Sequence, residues 1–322
     1  MAQDTPRSSS IGRLEIVNLV VVVLIVAGVA GLNRVVDPFQ RHADFDLGLH
    51  HREVTWRMSY PHFNLATWLR APSEGVLLGD SRMLQIQPEA LEEATGLSWT
   101  NMAAGGSSGR DIVENLRFVL THTAPQHAVI GWNLNLLNGA HQTDHVASAR
   151  EIIESPLRYH LNPFITKASA FLLYEKWTGE NPISETPPMS PEQFWEHQLK
   201  VTAAFAYRDF QMPDALLADL SSAVEEARAK GTRVTFLFFP THADLHQVAR
   251  DMGVADEYAE LKRQITALGP VVDWDRTSPL TTDRAHFSDP WHFKPEVAPQ
   301  LLRGLVRSVK ASDRSGSTSP RP

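Results

Sequence analysis

The chain has 322 residues, 43% of them hydrophobic, and a formal net charge of −7 from 30 Lys+Arg against 37 Asp+Glu. That length and apolar content fill one large domain, or one domain with an insertion, while the mild acidity without a Lys/Arg run excludes nucleic acid as a partner. The absence of cysteine excludes disulfides, zinc thiolates and a cysteine nucleophile, and leaves the redox compartment undefined.

Chain order begins with a polar leader over residues 1–15, followed by an anchor over residues 16–33. Residues 16–32 carry no charge and one polar side chain, Asn18, and crossing the hydrocarbon takes roughly 17 to 20 apolar residues. Arg7 and Arg13 ahead of it place the leader in the cytoplasm, against a weaker opposing vote from Arg34 and Arg41. A cleaved signal peptide is the rival reading, because Gly28-Val29-Ala30 supplies the small residues a signal peptidase needs. Both readings export the remainder of the chain; the uncleaved anchor, the reading adopted, holds the protein at the cytoplasmic membrane with its bulk outside the cytoplasm.

Residues 34–70 read as a juxtamembrane connector, with a helix starting near Asn64 to Leu69. Beyond it five short apolar runs predict strands: Gly75 to Leu78, Ser98 to Met102, Ala128 to Trp132, Val234 to Phe239 and Val271 to Trp274. Continuous apolar runs suit parallel strands buried on both faces. Helical patterns alternate with them over Pro88 to Ala94, Asp111 to Leu120 and Asp214 to Lys230, the last closed by Gly231. Alternation of this kind predicts a three-layer α/β fold with a parallel sheet of about five strands and ligands at the carboxyl ends of the strands. The domain spans residues 71–310. About 100 residues separate the third and fourth runs, so a helical insertion is expected at about 140–212. Its flanks, Ala147 to Tyr174 and Pro191 to Tyr207, look helical around a Pro-rich loop at 178–192. Residues 311–322 have almost nothing to bury and read as a disordered tail.

Four stretches at strand ends carry polar groups suited to chemistry. Ser81, after Gly79-Asp80, stands where the first strand ends, exposed at the sheet edge beside a helix N-terminus whose N–H groups can stabilise an oxyanion. Asp80 or Ser81 is equally suited to capping that helix. Asn101 to Gly109 is a loop of small residues whose Gly N–H is a natural oxyanion donor. Gly131-Trp132-Asn133-Leu134-Asn135 brings an amide side chain to the third strand's end. Asp289 and His292, three apart near the C-terminus, could supply a base and its orienting carboxylate for a serine nucleophile.

Taken together, these stretches resemble the four sequence blocks of the SGNH (GDSL-type) hydrolase superfamily over residues 75–305. The resemblance implies a flavodoxin-like sheet of the SGNH type, with Ser81 as nucleophile, His292 as general base and Asp289 as its orienter. It further implies an oxyanion hole from the Ser81 and Gly106 N–H groups and the Asn133 side chain, with Gly105 competing with Gly106. The third block departs from the family's Gly-x-Asn-Asp, with Leu134 in the last place, which makes Asn135 a substitute for Asn133. The anchor and the Val36-Asp37-Pro38-Phe39 just after it look like the branch of alginate O-acetyltransferases and teichoic-acid D-alanylation proteins. That branch implies acyl, in particular acetyl, transfer or hydrolysis on an envelope or exported polysaccharide. Its partners would be the acylated glycan or a small acyl ester, the inner membrane and a membrane acyl-transfer protein. No metal or organic cofactor is expected. The rival class is a catalytically inactive envelope protein that binds glycan or scaffolds a polysaccharide-assembly complex.

Arg82 and Trp291 flank the expected catalytic residues and could grip a sugar or its charged group. His141 with His145, and His242 with His246, have the spacing of a helical metal pair but lack a third ligand, so ordinary histidines are expected. His50-His51 reads the same way. His242, ending the fourth strand after Pro240-Thr241, is a candidate to line the pocket.

Overall fold

The computed structural model describes residues 12–183 and 189–316. The first residues of the leader, part of the Pro-rich loop and the end of the tail lie outside the described residues. Two compact units emerge, one of residues up to 58 with 152–183, the other of residues 59–151 with 184 onward.

The first unit is helical. Its longest element, Arg13–Val36, extends the expected anchor by a few residues at each end, and a 23-residue stretch of it, Leu14–Val36, is long and apolar enough to span a membrane. Asp37 ends the helix in the left-handed region at φ 45°. Its carboxylate stabilises that turn by accepting from the backbone N–H groups of Arg41, His42 and Ala43 at 2.9, 2.7 and 2.8 Å, and from the Tyr159 hydroxyl at 2.8 Å. Residues 34–58, read from sequence as connector, pack here with the helices Pro156–Leu161 and Pro163–Thr178. Val36, Val54 and Leu172 form the small core. The helical flank expected at 147–174 is broken into pieces because Pro156 and Pro163 each start a new helix behind a capping side chain, Ser155 and Asn162.

The second unit is built on five strands: β1 (Gly75–Leu78), β2 (Trp99–Asn101), β3 (His127–Trp132), β4 (Arg233–Phe238) and β5 (Val271–Asp273). All neighbours are parallel and the order is β2-β1-β3-β4-β5. This is the doubly wound, flavodoxin-like order expected from sequence. Alternate side chains Leu77, Val129 and Leu237 share a core with Leu301, Leu305 and Val309 of the terminal helix Ala298–Gly316 on one face. On the other, the helices Gly109–His122 and Asp214–Ala229 pack together and against the strands. The terminal helix continues to Gly316, into the stretch expected as tail, because its Leu301-Leu305-Val309 stripe, fully buried, holds it to the sheet.

Strand order fixes where a ligand can sit. The chain leaves β1 toward β2 on one side, then crosses to β3 on the other, so the crevice opens at the carboxyl ends of β1 and β3. Ser81 comes directly after β1.

Candidate active site

The backbone after β1 does not enter the helix expected there. A single 3-10 turn, Met83–Gln85, comes after Ser81, and the next α-helix starts only at Pro88. Gly79 allows the tight exit, since a Cβ on it would lie 2.9 Å from Met83 Cβ. Asp80 commits its carboxylate to Arg82, accepting from the backbone N–H at 3.0 Å, from Nε at 3.1 Å and from Nη2. Neither Asp80 nor Ser81 caps a helix, and the Ser81 side chain is left for a different partner.

That partner is His292. Ser81 Oγ lies 2.7 Å from His292 Nε2, across more than 200 residues of sequence, and His292 Nδ1 lies 2.8 Å from Asp289 Oδ2. With the carboxylate accepting from Nδ1–H, Nε2 is the acceptor facing the serine hydroxyl. Asp289 is buried and held in place by its second oxygen, which accepts from the backbone N–H groups of Trp291 at 2.8 Å and His292 at 3.2 Å. Trp291 and His292 therefore project from a turn locked by the carboxylate that orients the imidazole. The arrangement is that of a Ser-His-Asp triad.

No family model and no curated protein matches the chain. Among solved structures it is similar to a "putative acylhydrolase" from Bacteroides fragilis, at 11% identity over 74% of this chain and 86% of that one, with a TM-score of 0.41. A "putative lipolytic protein of G-D-S-L family" from Desulfitobacterium hafniense matches at 11% identity, 72% and 97% coverage and a TM-score of 0.35. TesA matches at 14% identity, 74% and 98% coverage and a TM-score of 0.36.

Beside Ser81 lies a cavity of about 240 Å³. Gly106 lines it and Gly105 does not; a Cβ on Gly105 would sit 3.4 Å from the Tyr60 ring. Gly106 has a φ of +76°, the left-handed conformation that turns its N–H out of the local chain direction. Among the described residues neither the Ser81 nor the Gly106 N–H is engaged by a protein acceptor. Ser108 anchors this loop: it caps Gly109–His122 by accepting from Asp111 N–H at 3.3 Å, and it accepts from Thr143 N–H at 3.0 Å.

Asn133 requires a correction. It is 1% exposed, and its Nδ2 donates to the Phe239 carbonyl at 2.9 Å and toward Asp275 at 3.4 Å, so it ties the ends of β3 and β4 together rather than facing the cavity. The chain stays extended at Asn133 (φ −158°, ψ 169°) before coiling into the 3-10 turn Leu134–Leu136. That extra extended residue turns the first amide inward, and Asn135 is the one that lines the cavity. The Asn135 carboxamide oxygen accepts from Arg82 Nη2 at 2.8 Å, which directs its NH2 group away from the guanidinium.

Arg82 is 1% exposed, paired with Asp80, and its guanidinium carbon stands 5.9 Å from the Trp291 ring centroid. Both residues line the cavity. Pairing accounts for the burial of this charge, since an isolated cation there would cost several kcal/mol. Behind Trp291 lies a further buried carboxylate, Asp275, which the sequence reading did not single out. It accepts from Thr241 N–H at 3.1 Å, Thr241 Oγ1 at 2.6 Å and the Tyr258 hydroxyl, with His246 Nε2 at 3.0 Å. Burial opposes its ionisation, but the hydrogen bond and charge of His246, the charge of Lys262 and the Thr241 bond outweigh it and hold the carboxyl below the usual carboxylate range.

The histidine pairs do not act together. His242 caps the helix Ala243–Asp251 and packs against Trp195 and Phe287, whereas His246 serves Asp275. His242 is not among the cavity-lining residues; His141 is, its ring tilted 30° against Phe205 with centroids 4.7 Å apart. Phe205, Gln198 and Thr202 close the cavity from the insertion, where the expected helix over Pro191 to Tyr207 forms with a π-helical segment at Gln198–Ala203. The only sequence signal for that wall is its helical pattern; nothing in it marks the residues as pocket-lining.

Proposed function

We propose that the protein is a membrane-anchored, SGNH-type serine enzyme that removes or transfers an acetyl-sized acyl group on a cell-envelope or exported polysaccharide. The carrying observation is the continuous chain Ser81 Oγ to His292 Nε2 at 2.7 Å and His292 Nδ1 to Asp289 Oδ2 at 2.8 Å, beside a cavity with two donors directed at no protein group. His292 takes the Ser81 proton as Oγ adds to the ester carbonyl. The resulting oxyanion meets the Ser81 and Gly106 N–H groups and the Asn135 amide, which takes the place expected for Asn133. Collapse releases the alcohol with the proton from His292 and leaves an acyl-serine. Water or a sugar hydroxyl, deprotonated by His292, then resolves it.

Cavity size supports a small acyl group. Pockets for drug-sized ligands run from about 300 Å³ upward, and about 240 Å³ admits an acetyl group with part of a sugar ring. Trp291 and Phe205 offer flat apolar surfaces to that ring. The uncharged residues 16–33 within Arg13–Val36 support anchoring in the cytoplasmic membrane, and Arg7 and Arg13 ahead of them support placing the second unit outside the cytoplasm.

Kinetics on a chromogenic acetyl ester test the reading. Ser81→Ala and His292→Ala are expected to lower kcat by at least about 10³-fold with KM little changed. Undiminished turnover in either variant overturns it. Mass spectrometry of envelope glycans from cells with and without the protein then distinguishes hydrolysis, which raises acylation when the protein is lost, from transfer, which lowers it.

A further inference from the structure

The first unit carries apolar side chains on its outside at one particular level. Residues 16–33 of the anchor hold no charge; at about 1.5 Å per residue they reach ~27 Å, close to the ~30 Å hydrocarbon thickness. Asn33 and Arg34 therefore stand at the boundary between hydrocarbon and headgroups, on the side where the chain emerges. At that level the anchor ceases to be bare. Asn33 is fully buried: its Nδ2 donates to the His160 carbonyl at 2.8 Å and to Thr166 Oγ1 at 2.9 Å, and its Oδ1 accepts from Ser169 Oγ at 2.9 Å.

Those bonds place the short helix Pro156–Leu161 beside the anchor's last turns and fix its rotation. Tyr159 points inward to donate to Asp37. Leu157 and Leu161, four residues apart and so on one face, point outward and are 71% and 37% exposed. Phe45, 55% exposed, lies with its ring centroid 5.8 Å from the guanidinium carbon of Arg34 at the same level. Exposed Arg158 stands between the two leucines in sequence, a cation suited to anionic headgroups.

We propose that Phe45, Leu157 and Leu161 form a footing that inserts into the bilayer interface around the anchor, so that the first unit is seated on the membrane rather than tethered to it. The proposal rests on the reading of Arg13–Val36 as a membrane anchor. Its occupant is lipid because the anchor's bare apolar surface runs up to the level of this face, with Val26 44%, Leu32 37% and Val35 42% exposed. A tether would need a flexible linker after the membrane; here the chain leaves the anchor through a buried turn with four hydrogen bonds on one carboxylate.

The cysteine-free sequence makes a direct test straightforward. Single variants Leu157→Cys, Leu161→Cys, Val23→Cys and Glu225→Cys of the full-length chain are spin-labelled and reconstituted in phosphatidylethanolamine/phosphatidylglycerol vesicles. Accessibility to oxygen is compared with accessibility to a water-soluble nickel chelate. Labels at 157 and 161 are expected to favour oxygen, as the label at 23 does, while that at 225 favours nickel by about tenfold. If 157 and 161 match 225 while 23 favours oxygen, the footing is wrong and the anchor stands. If 23 itself favours nickel, the anchor reading fails and the footing falls with it.

Discussion

At the scale of single residues, the catalytic proposal depends on which polar groups are free to meet substrate and which are engaged in structure. Asp80 illustrates the second kind, its carboxylate occupied by Arg82. Asn133 and Asn135 divide the same way, and they can be separated experimentally. Loss of one oxyanion donor costs about 10²- to 10³-fold in kcat, so Asn135→Ala is expected to lower kcat by that amount on an acetyl ester with the melting temperature little changed. Asn133→Ala should do the reverse: it strands the Phe239 carbonyl inside the protein, at roughly 1–3 kcal/mol, while leaving kcat near the parent value below the transition. Steady-state kinetics paired with thermal melts read both, and a larger kcat loss in Asn133→Ala would return the donor role to it. Sequence exposed this ambiguity without resolving it. Gly131-Trp132-Asn133-Leu134-Asn135 does not reveal that the chain stays extended through Asn133, and that one residue decides which amide enters the cavity.

At the scale of elements, the strands were legible because their apolar runs are buried on both faces, and each was placed within two residues of its observed ends. Less legible were the turn after Ser81, where the expected helix shrinks to Met83–Gln85, and the insertion, whose helical pattern carries no mark of its role in closing the cavity. Helix Tyr60–Arg70 carries a consequence that no periodicity exposes. His62, on its buried face, bonds Ser59 Oγ through Nδ1 at 2.8 Å, and burial lowers its pKa to about 4. In the unfolded chain the same group titrates near 6.5. Above pH 6.5 it is neutral in both states and folding carries no penalty. Between 6.5 and 4 the unfolded chain binds the extra proton, so stability falls as pH falls, by a total of ~3 kcal/mol, and levels off below 4. Urea midpoints at pH 7.5 and 5 should therefore differ less in His62→Asn, which keeps an amide near the Nδ1 position, than in the parent. An unchanged difference would show that His62 is not the group responsible.

At the scale of the whole molecule, the fold makes its site by bringing together strand ends that are distant in sequence. The triad couples the turn after β1 to the Asp289–His292 turn well beyond β5, Asn133 and Phe239 join β3 to β4, and Asp275 gathers Thr241, His246 and Tyr258 behind them. The parallel sheet that places these ends in one row was legible from the alternation of apolar runs and helices; Asp275 was not, because a lone Asp after a strand resembles any surface aspartate until its partners are seen. The central claim is that Ser81 is a nucleophile activated by His292. Its most direct test is labelling of the full-length protein with a fluorophosphonate, read by intact mass and peptide mapping. The account predicts one adduct, on Ser81, absent in Ser81→Ala and slowed by at least about 10³-fold in His292→Ala; a folded protein that takes no label, or labels equally fast without His292, would contradict it.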